Sequence, residues 1–113
     1  MKYSAAVQMS LQRPPWEAHQ LMREELSTVI SNRSAAYFDK HDYVSALADA
    51  ETVISIRRNW GKGHFRKAKA LLGLGRLREA ADSVRRGLDY DPDSPVCHLL
   101  TVYLISNFSY LYL

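Results

Sequence analysis

The sequence predicts an all-α fold, a stack of antiparallel helix pairs, and two observations carry that expectation. The chain matches itself at an offset of about 34 residues. Between short turns that hold the helix breakers, apolar residues recur at three- and four-residue spacing, the period of a helix with one buried stripe.

At this offset Ala36 falls on Ala70, Tyr37 on Leu71, Tyr43 on Leu77, Ala46 on Ala80, Leu47 on Ala81 and Ile54 on Leu88. Small residues meet small and large meet large. Each unit reads as an A helix ending near Asp39 or Leu72, a turn at Lys40-His41-Asp42 or Gly73-Leu74-Gly75, and a B helix. In the first B helix Tyr43, Ala46, Leu47, Ala50, Val53 and Ile54 form one apolar stripe that has to be buried. Ala46 and Ala80 stand where the two helices of a unit cross, and small side chains there allow an approach of about 8 to 10 Å. The second B helix, Leu77 through Tyr90, stops at Asp91-Pro92, since proline cannot continue the hydrogen-bond ladder.

These positions resemble tetratricopeptide repeats, with units at about 27 to 60 and 61 to 94. The resemblance implies a right-handed superhelix of about five to six helices. Arg58 stands in the first unit where Pro92 closes the second. Run backwards, the register makes residues 1 to 12 the second helix of a first repeat that lacks its A helix, with Tyr3, Ala6 and Val7 as its apolar stripe and residues 13 to 16 as a loop. From Glu17 no breaker interrupts Leu21, Leu26 and Ile30 before Tyr37, so the next A helix is expected to be long, making 17 to 60 one unit. Residues 95 to 113 differ in kind, because 96 to 113 contain no Asp, Glu, Lys or Arg. Repeat arrays close on a helix with a polar outer face. Three readings of this segment compete: an ill-matched capping helix, a membrane-inserting segment of minimum length, or sequence foreign to the family. His98, Asn107 and three tyrosines place the membrane reading last.

Composition excludes several functions. A 113-residue chain with 47% hydrophobic and 24% charged residues builds one soluble core. The formal charge of +3 comes from basic residues dispersed among acidic ones, which argues against nucleic acid as a partner. Cys97, the single cysteine, allows neither an internal disulfide nor a thiolate metal site, and His19, His41, His64 and His98 lack ligand spacing, so no metal or other cofactor is expected. The start Met1-Lys2-Tyr3-Ser4 is not a secretory signal. No nucleophile is placed with a base and no carboxylates are paired in a way that supports an enzyme or a small-molecule substrate. Asp39, Asp42, Asp49 and Glu51 read as caps and solvated charges.

What remains is a cluster of cations. Stacked A helices put equivalent positions side by side, so Asn32 and Arg66, one period apart, are expected to be neighbours. Lys62 and Lys69, four residues before Arg66 and three after it, extend the charge along one helix face. Like charges at four-residue spacing cost a few tenths of a kcal/mol, so an anion is the natural complement. Arginine offers a planar fork to a carboxylate, lysine a point charge and asparagine an amide donor. Phe38 and Phe65 are expected to face the same groove beside Ser31.

The segments Ser31-Asn32-Arg33-Ser34-Ala35-Ala36-Tyr37 and Lys62-Gly63-His64-Phe65-Arg66-Lys67-Ala68 resemble the dicarboxylate clamp of co-chaperone tetratricopeptide domains. That family grips the Glu-Glu-Val-Asp tail of cytosolic heat-shock chaperones, and the resemblance implies that Asn32, Lys62 and Arg66 are three of the clamp residues. The family's other two, a lysine and an asparagine, belong to the A helix that the register leaves out. Arg13-Pro14-Pro15-Trp16-Glu17 and Leu21-Met22-Arg23-Glu24-Glu25-Leu26-Ser27 add a narrower resemblance, to the tetratricopeptide subunit of the fungal endoplasmic-reticulum post-translational translocation complex. It implies a cytoplasmic adaptor, peripheral on the cytosolic face of that membrane, held by a membrane-bound partner subunit and docking chaperones that carry precursor proteins. The competing expectation is a general protein-protein scaffold without carboxylate recognition, docking through its convex surface.

Overall fold

The computed structural model describes the backbone of residues 15 to 111 and the side chains of 16 to 106. Five helices follow one another: α1 (Pro15–Asp39), α2 (Tyr43–Ile56), α3 (Gly61–Gly73), α4 (Leu77–Tyr90) and α5 (Pro95–Leu111). The expected helix at 1 to 12 and the start of the loop at 13 lie outside the described residues. Pro15 and Trp16, read as loop from the sequence, instead form the first turn of α1. Proline suits that position, since its fixed φ matches the helix and its missing N–H would have no partner there.

Each helix packs on the next in sequence, α1 on α2 through α4 on α5, and α1 and α3 also touch. Direct contact between alternate A helices makes the pile a stack of helix pairs. Burial repeats with the period: Ala46 with Ala80, Asp49 with Ser83, Ala50 with Val84 and Val53 with Gly87 are all buried. Phe65, Ala68 and Leu71 of α3 join Ala80 and Val84 of α4 and Cys97 and Leu104 of α5 in one core.

The connections repeat as closely as the helices. After α1, Lys40 N–H donates to Ala36 O and Asp42 N–H to Tyr37 O; after α3, Leu74 N–H donates to Ala70 O and Arg76 N–H to Leu71 O. This is the six-to-one closure of a helix end, which needs a left-handed residue. His41 (φ 63°) and Gly75 (φ 77°) fill it, one period apart. Asp42 then caps α2, its carboxylate accepting from Ser45 N–H at 3.3 Å. The lost proline at Arg58 leaves the stop unchanged, because Arg57 (φ −132°, ψ 79°) and Asp91 (φ −142°, ψ 78°) turn the chain in the same way.

α1 buries a face that hydropathy does not indicate. Ser27, Ser31 and Ser34 are fully or almost fully buried while Met22, Leu26 and Val29 are exposed. Short side chains let the helices approach, and two of the hydroxyls are satisfied by backbone: Ser27 donates to Glu24 O at 2.9 Å and Ser34 to Ala46 O of α2 at 2.8 Å. Asp49, expected to be a solvated charge, is instead buried against α1, where both oxygens accept from Arg33 at 2.8 Å. A carboxylate on the buried stripe of α2 requires such a fork.

Residues read as an atypical apolar segment form the helix α5, with Cys97 and Leu104 in the core and Val96, Leu99, Val102 and Ile105 exposed. Among the described residues no helix is long and apolar enough to cross a membrane.

A candidate anion-binding groove

The groove starts from the contact between α1 and α3. Ser31, at 0% exposure, turns its hydroxyl toward α3 and accepts a hydrogen bond from Arg66 Nε at 3.3 Å. Arg66 itself is half-buried. Desolvation lowers its pKa, an effect that the more distant charge of Asp39 partly offsets, and no carboxylate among the described residues forms an ion pair with it. A guanidinium held in this way keeps its fork available for an anion.

Asn32 follows Ser31 on α1 and is exposed, and Lys62 lies exposed one turn before Arg66. Lys62 sits in the first turn of α3, which has no acidic residue and whose cap, Trp60, makes no side-chain hydrogen bond to it. The positive end of the helix dipole therefore adds to the lysine charge. Trp60 steadies this end, with Arg57 4.1 Å from its ring centroid and Lys62 Nζ 5.9 Å away.

Phe38 and Lys69 are brought together, the ammonium lying 4.8 Å from the ring centroid. Phe38 also packs on Tyr43, with centroids 5.4 Å apart. Two of the expected groove-lining residues are placed differently. Phe65 is 7% exposed and belongs to the core, because α4 presents Gly87 at the crossing and the ring fills the space that a side chain would take. Ser31 lies beneath the groove and braces Arg66. Sequence reading missed the Arg33–Asp49 fork and the Trp60 stack; an aspartate three residues after Ala46 on an apolar stripe was the available signal for the first. Among the described residues no group of His, Cys, Asp and Glu could hold a metal.

No protein-family model matches the sequence. Among solved structures, the fold superposes on the first tetratricopeptide domain of Spaghetti (RPAP3), a structure with the HSP90 peptide SRMEEVD bound, at a TM-score of 0.69 and 22% identity over 74% of this chain and 66% of that one. The chain has the tetratricopeptide-repeat fold. The chain is 45% identical over 86 residues to the ER protein translocation subcomplex subunit sec67 of Schizosaccharomyces pombe, covering 76% of this chain and 45% of the relative. It is also 45% identical over 64 residues to the Hsp70-Hsp90 organizing protein of Triticum aestivum, covering 57% of this chain and 11% of the relative. The chain thus spans under half the length of the curated relatives it matches.

Proposed function

We propose that this chain is a peptide-binding adaptor with no chemistry of its own, which holds the acidic C-terminal tail of a cytosolic heat-shock chaperone between Asn32, Lys62 and Arg66. The observation that carries this reading is the state of Arg66, half-buried, braced by a neutral hydroxyl and lacking a carboxylate partner among the described residues. Arg66 would take the chain-end carboxylate through its fork, Lys62 a second carboxylate as a point charge, and Asn32 a carboxylate or peptide carbonyl through its amide. Lys69 over Phe38 would border the groove on the far side. The names of the relatives support the same reading, one a translocation subunit and one an Hsp70-Hsp90 organizing protein, as does the acidic peptide in the solved neighbour. The cellular setting that fits is the cytosolic face of the endoplasmic reticulum, with the adaptor held there by a membrane-bound subunit of the translocation complex.

The test is a titration of a labelled peptide ending in Glu-Glu-Val-Asp by fluorescence anisotropy. Saturable binding is expected, weakening as salt rises because the cations are partly exposed. Binding is expected to be abolished by Lys62→Glu with Arg66→Glu. A protein that ignores this peptide, or a charge-reversed variant that binds it as well as the original, refutes the reading and leaves a scaffold without carboxylate recognition.

A further inference from the structure

α1 has 25 residues, whereas its equivalent α3 has 13. Ser27 stands one period before Gly61, where α3 begins, so residues 15 to 26 of α1 have no counterpart in the next repeat. Part of this extension and the link between α2 and α3 enclose a cleft of about 310 Å³, near the lower end of the range for small-ligand pockets, about 300 Å³. Gln20, Arg23 and Glu24 form one wall and Arg57, Arg58 and Asn59 the other. Ile56 is the one apolar residue lining it.

The charge in this cleft is not neutralised from within. None of its three arginines forms an ion pair among the described residues, and its one carboxylate, Glu24, accepts from Gln20 Nε2 at 3.3 Å. The link is held in place: Trp60 N–H donates to Arg57 O at 3.1 Å, and His64 Nε2 lies 2.9 Å from Arg58 O. The Arg57 guanidinium lies 4.1 Å from the Trp60 ring centroid. A guanidinium that is stacked but unpaired is oriented before a ligand arrives. The fold does not require these cations. One period on, the link between α4 and α5 turns the chain with nearly the same dihedral angles and carries Asp91, Pro92 and Asp93 at the positions of Arg57, Arg58 and Asn59. Arginines gathered around one cleft repel one another, a cost that a bound anion removes.

We infer that this cleft binds a phosphate monoester, either free in solution or as the headgroup of a lipid. Three guanidiniums and one carboxylate leave a net charge of +2, the complement of a phosphate monoester at about −1.5 to −2. Planar forks on two walls can take several oxygens of one phosphate, whereas a carboxylate offers two. With Ile56 alone apolar, the lining has little to grip the side chains around a phosphorylated residue, which favours a compact ligand over a phosphopeptide. The site is separate from the tail groove. Arg23 precedes Asn32 by nine residues, about two and a half turns, and so lies on the opposite side of α1. The inference stands whether or not the groove binds a tail.

The test titrates the full chain with inositol hexakisphosphate by isothermal titration calorimetry and, in a second arm, with phosphatidylcholine vesicles containing phosphatidylinositol phosphate. Saturable binding is expected in at least one arm, and the arm that shows it identifies the source of the phosphate. Arg23→Gln with Arg58→Gln is expected to weaken that binding about tenfold or more. Arg57 is left in place because the Trp60 ring on which it stacks also meets Lys62. Both substituted positions are exposed, so this variant is expected to keep the melting temperature and the tail-peptide affinity of the parent. Arg85→Gln with Arg86→Gln removes the same charge from exposed positions on α4 and is expected to leave phosphate binding unchanged. No saturable binding in either arm, binding indifferent to Arg23 and Arg58, or an equal loss in the two double variants overturns the inference. A phosphoserine peptide that binds the cleft more tightly than either probe would make a protein the ligand and overturn it as well.

Discussion

Arg66 donates to the buried hydroxyl of Ser31, and this one hydrogen bond ties together two helices whose positions are related by the 34-residue period. The bond aims the guanidinium without neutralising it.

Ser31→Ala therefore tests a brace apart from a ligand. Removing it is expected to cost about 1 kcal/mol of tail-peptide affinity, a rise of about threefold to tenfold in Kd, because Arg66 must then be ordered by the ligand alone. Arg66→Ala is expected to cost more, about 1.5 to 3 kcal/mol, in line with a charge-assisted hydrogen bond. Anisotropy titrations rank the two variants, and an unchanged Kd for Ser31→Ala would show that the brace is irrelevant.

A second expectation concerns Gly87, where an added Cβ would stand 2.5 Å from a ring carbon of Phe65. Gly87→Ala is expected to destabilise by about 1 to 3 kcal/mol, the usual cost of overpacking. If the ring is the cause, Phe65→Leu should restore part of the loss in a double-mutant cycle measured by urea unfolding. Strict additivity of the two changes would contradict that account.

Gly75 has φ 77°, and no atom lies within 4 Å of the point a Cβ would occupy, so backbone conformation alone opposes a side chain there. Gly75→Ala should cost about 1 kcal/mol in chemical unfolding. His41 occupies the same conformation one period earlier, with a hydrogen-bonding contact of 2.9 Å between its Nδ1 and the Tyr43 hydroxyl. His41→Gly relieves strain and removes a contact, so a smaller change is expected there.

Burial, with a smaller contribution from Asp91, raises the Cys97 thiol to about 11. Ellman's reagent at pH 8 is expected to react slowly with the native chain and fully after unfolding. The sign of the linked stability follows from the raised value. The unfolded thiol ionises near about 8.5. From there up to about 11 the unfolded state has lost a proton that the folded state keeps, so stability falls as pH rises through that window. Melting curves between pH 8 and 11 should fall more steeply for the parent than for Cys97→Ala.

The sequence made the repeat readable because helix crossings constrain residue size, and Ala46 and Ala80 cannot be large without parting their helices. It made the cations readable for the opposite reason, since like charges at helical spacing have no structural use. Hydropathy misdirects on α1, where three serines are buried and Met22, Leu26 and Val29 are not, because hydroxyls that find a hydrogen-bond partner behave as small core residues. The inward turn of Phe65 is not legible in the sequence, because it depends on a vacancy at Gly87, twenty-two residues away, that no local pattern reveals.

Every described helix touches its immediate successor, and α1 also touches α3. Opening can thus begin at an end and proceed inward one layer at a time, leaving the middle intact, which a fold knit by long-range pairings cannot do. Amide exchange should then be graded along the chain, slowest in α3 and the facing side of α4 and fastest toward the far end of α5. A bound ligand bridging α1 and α3 would slow exchange most at the seam between those two layers.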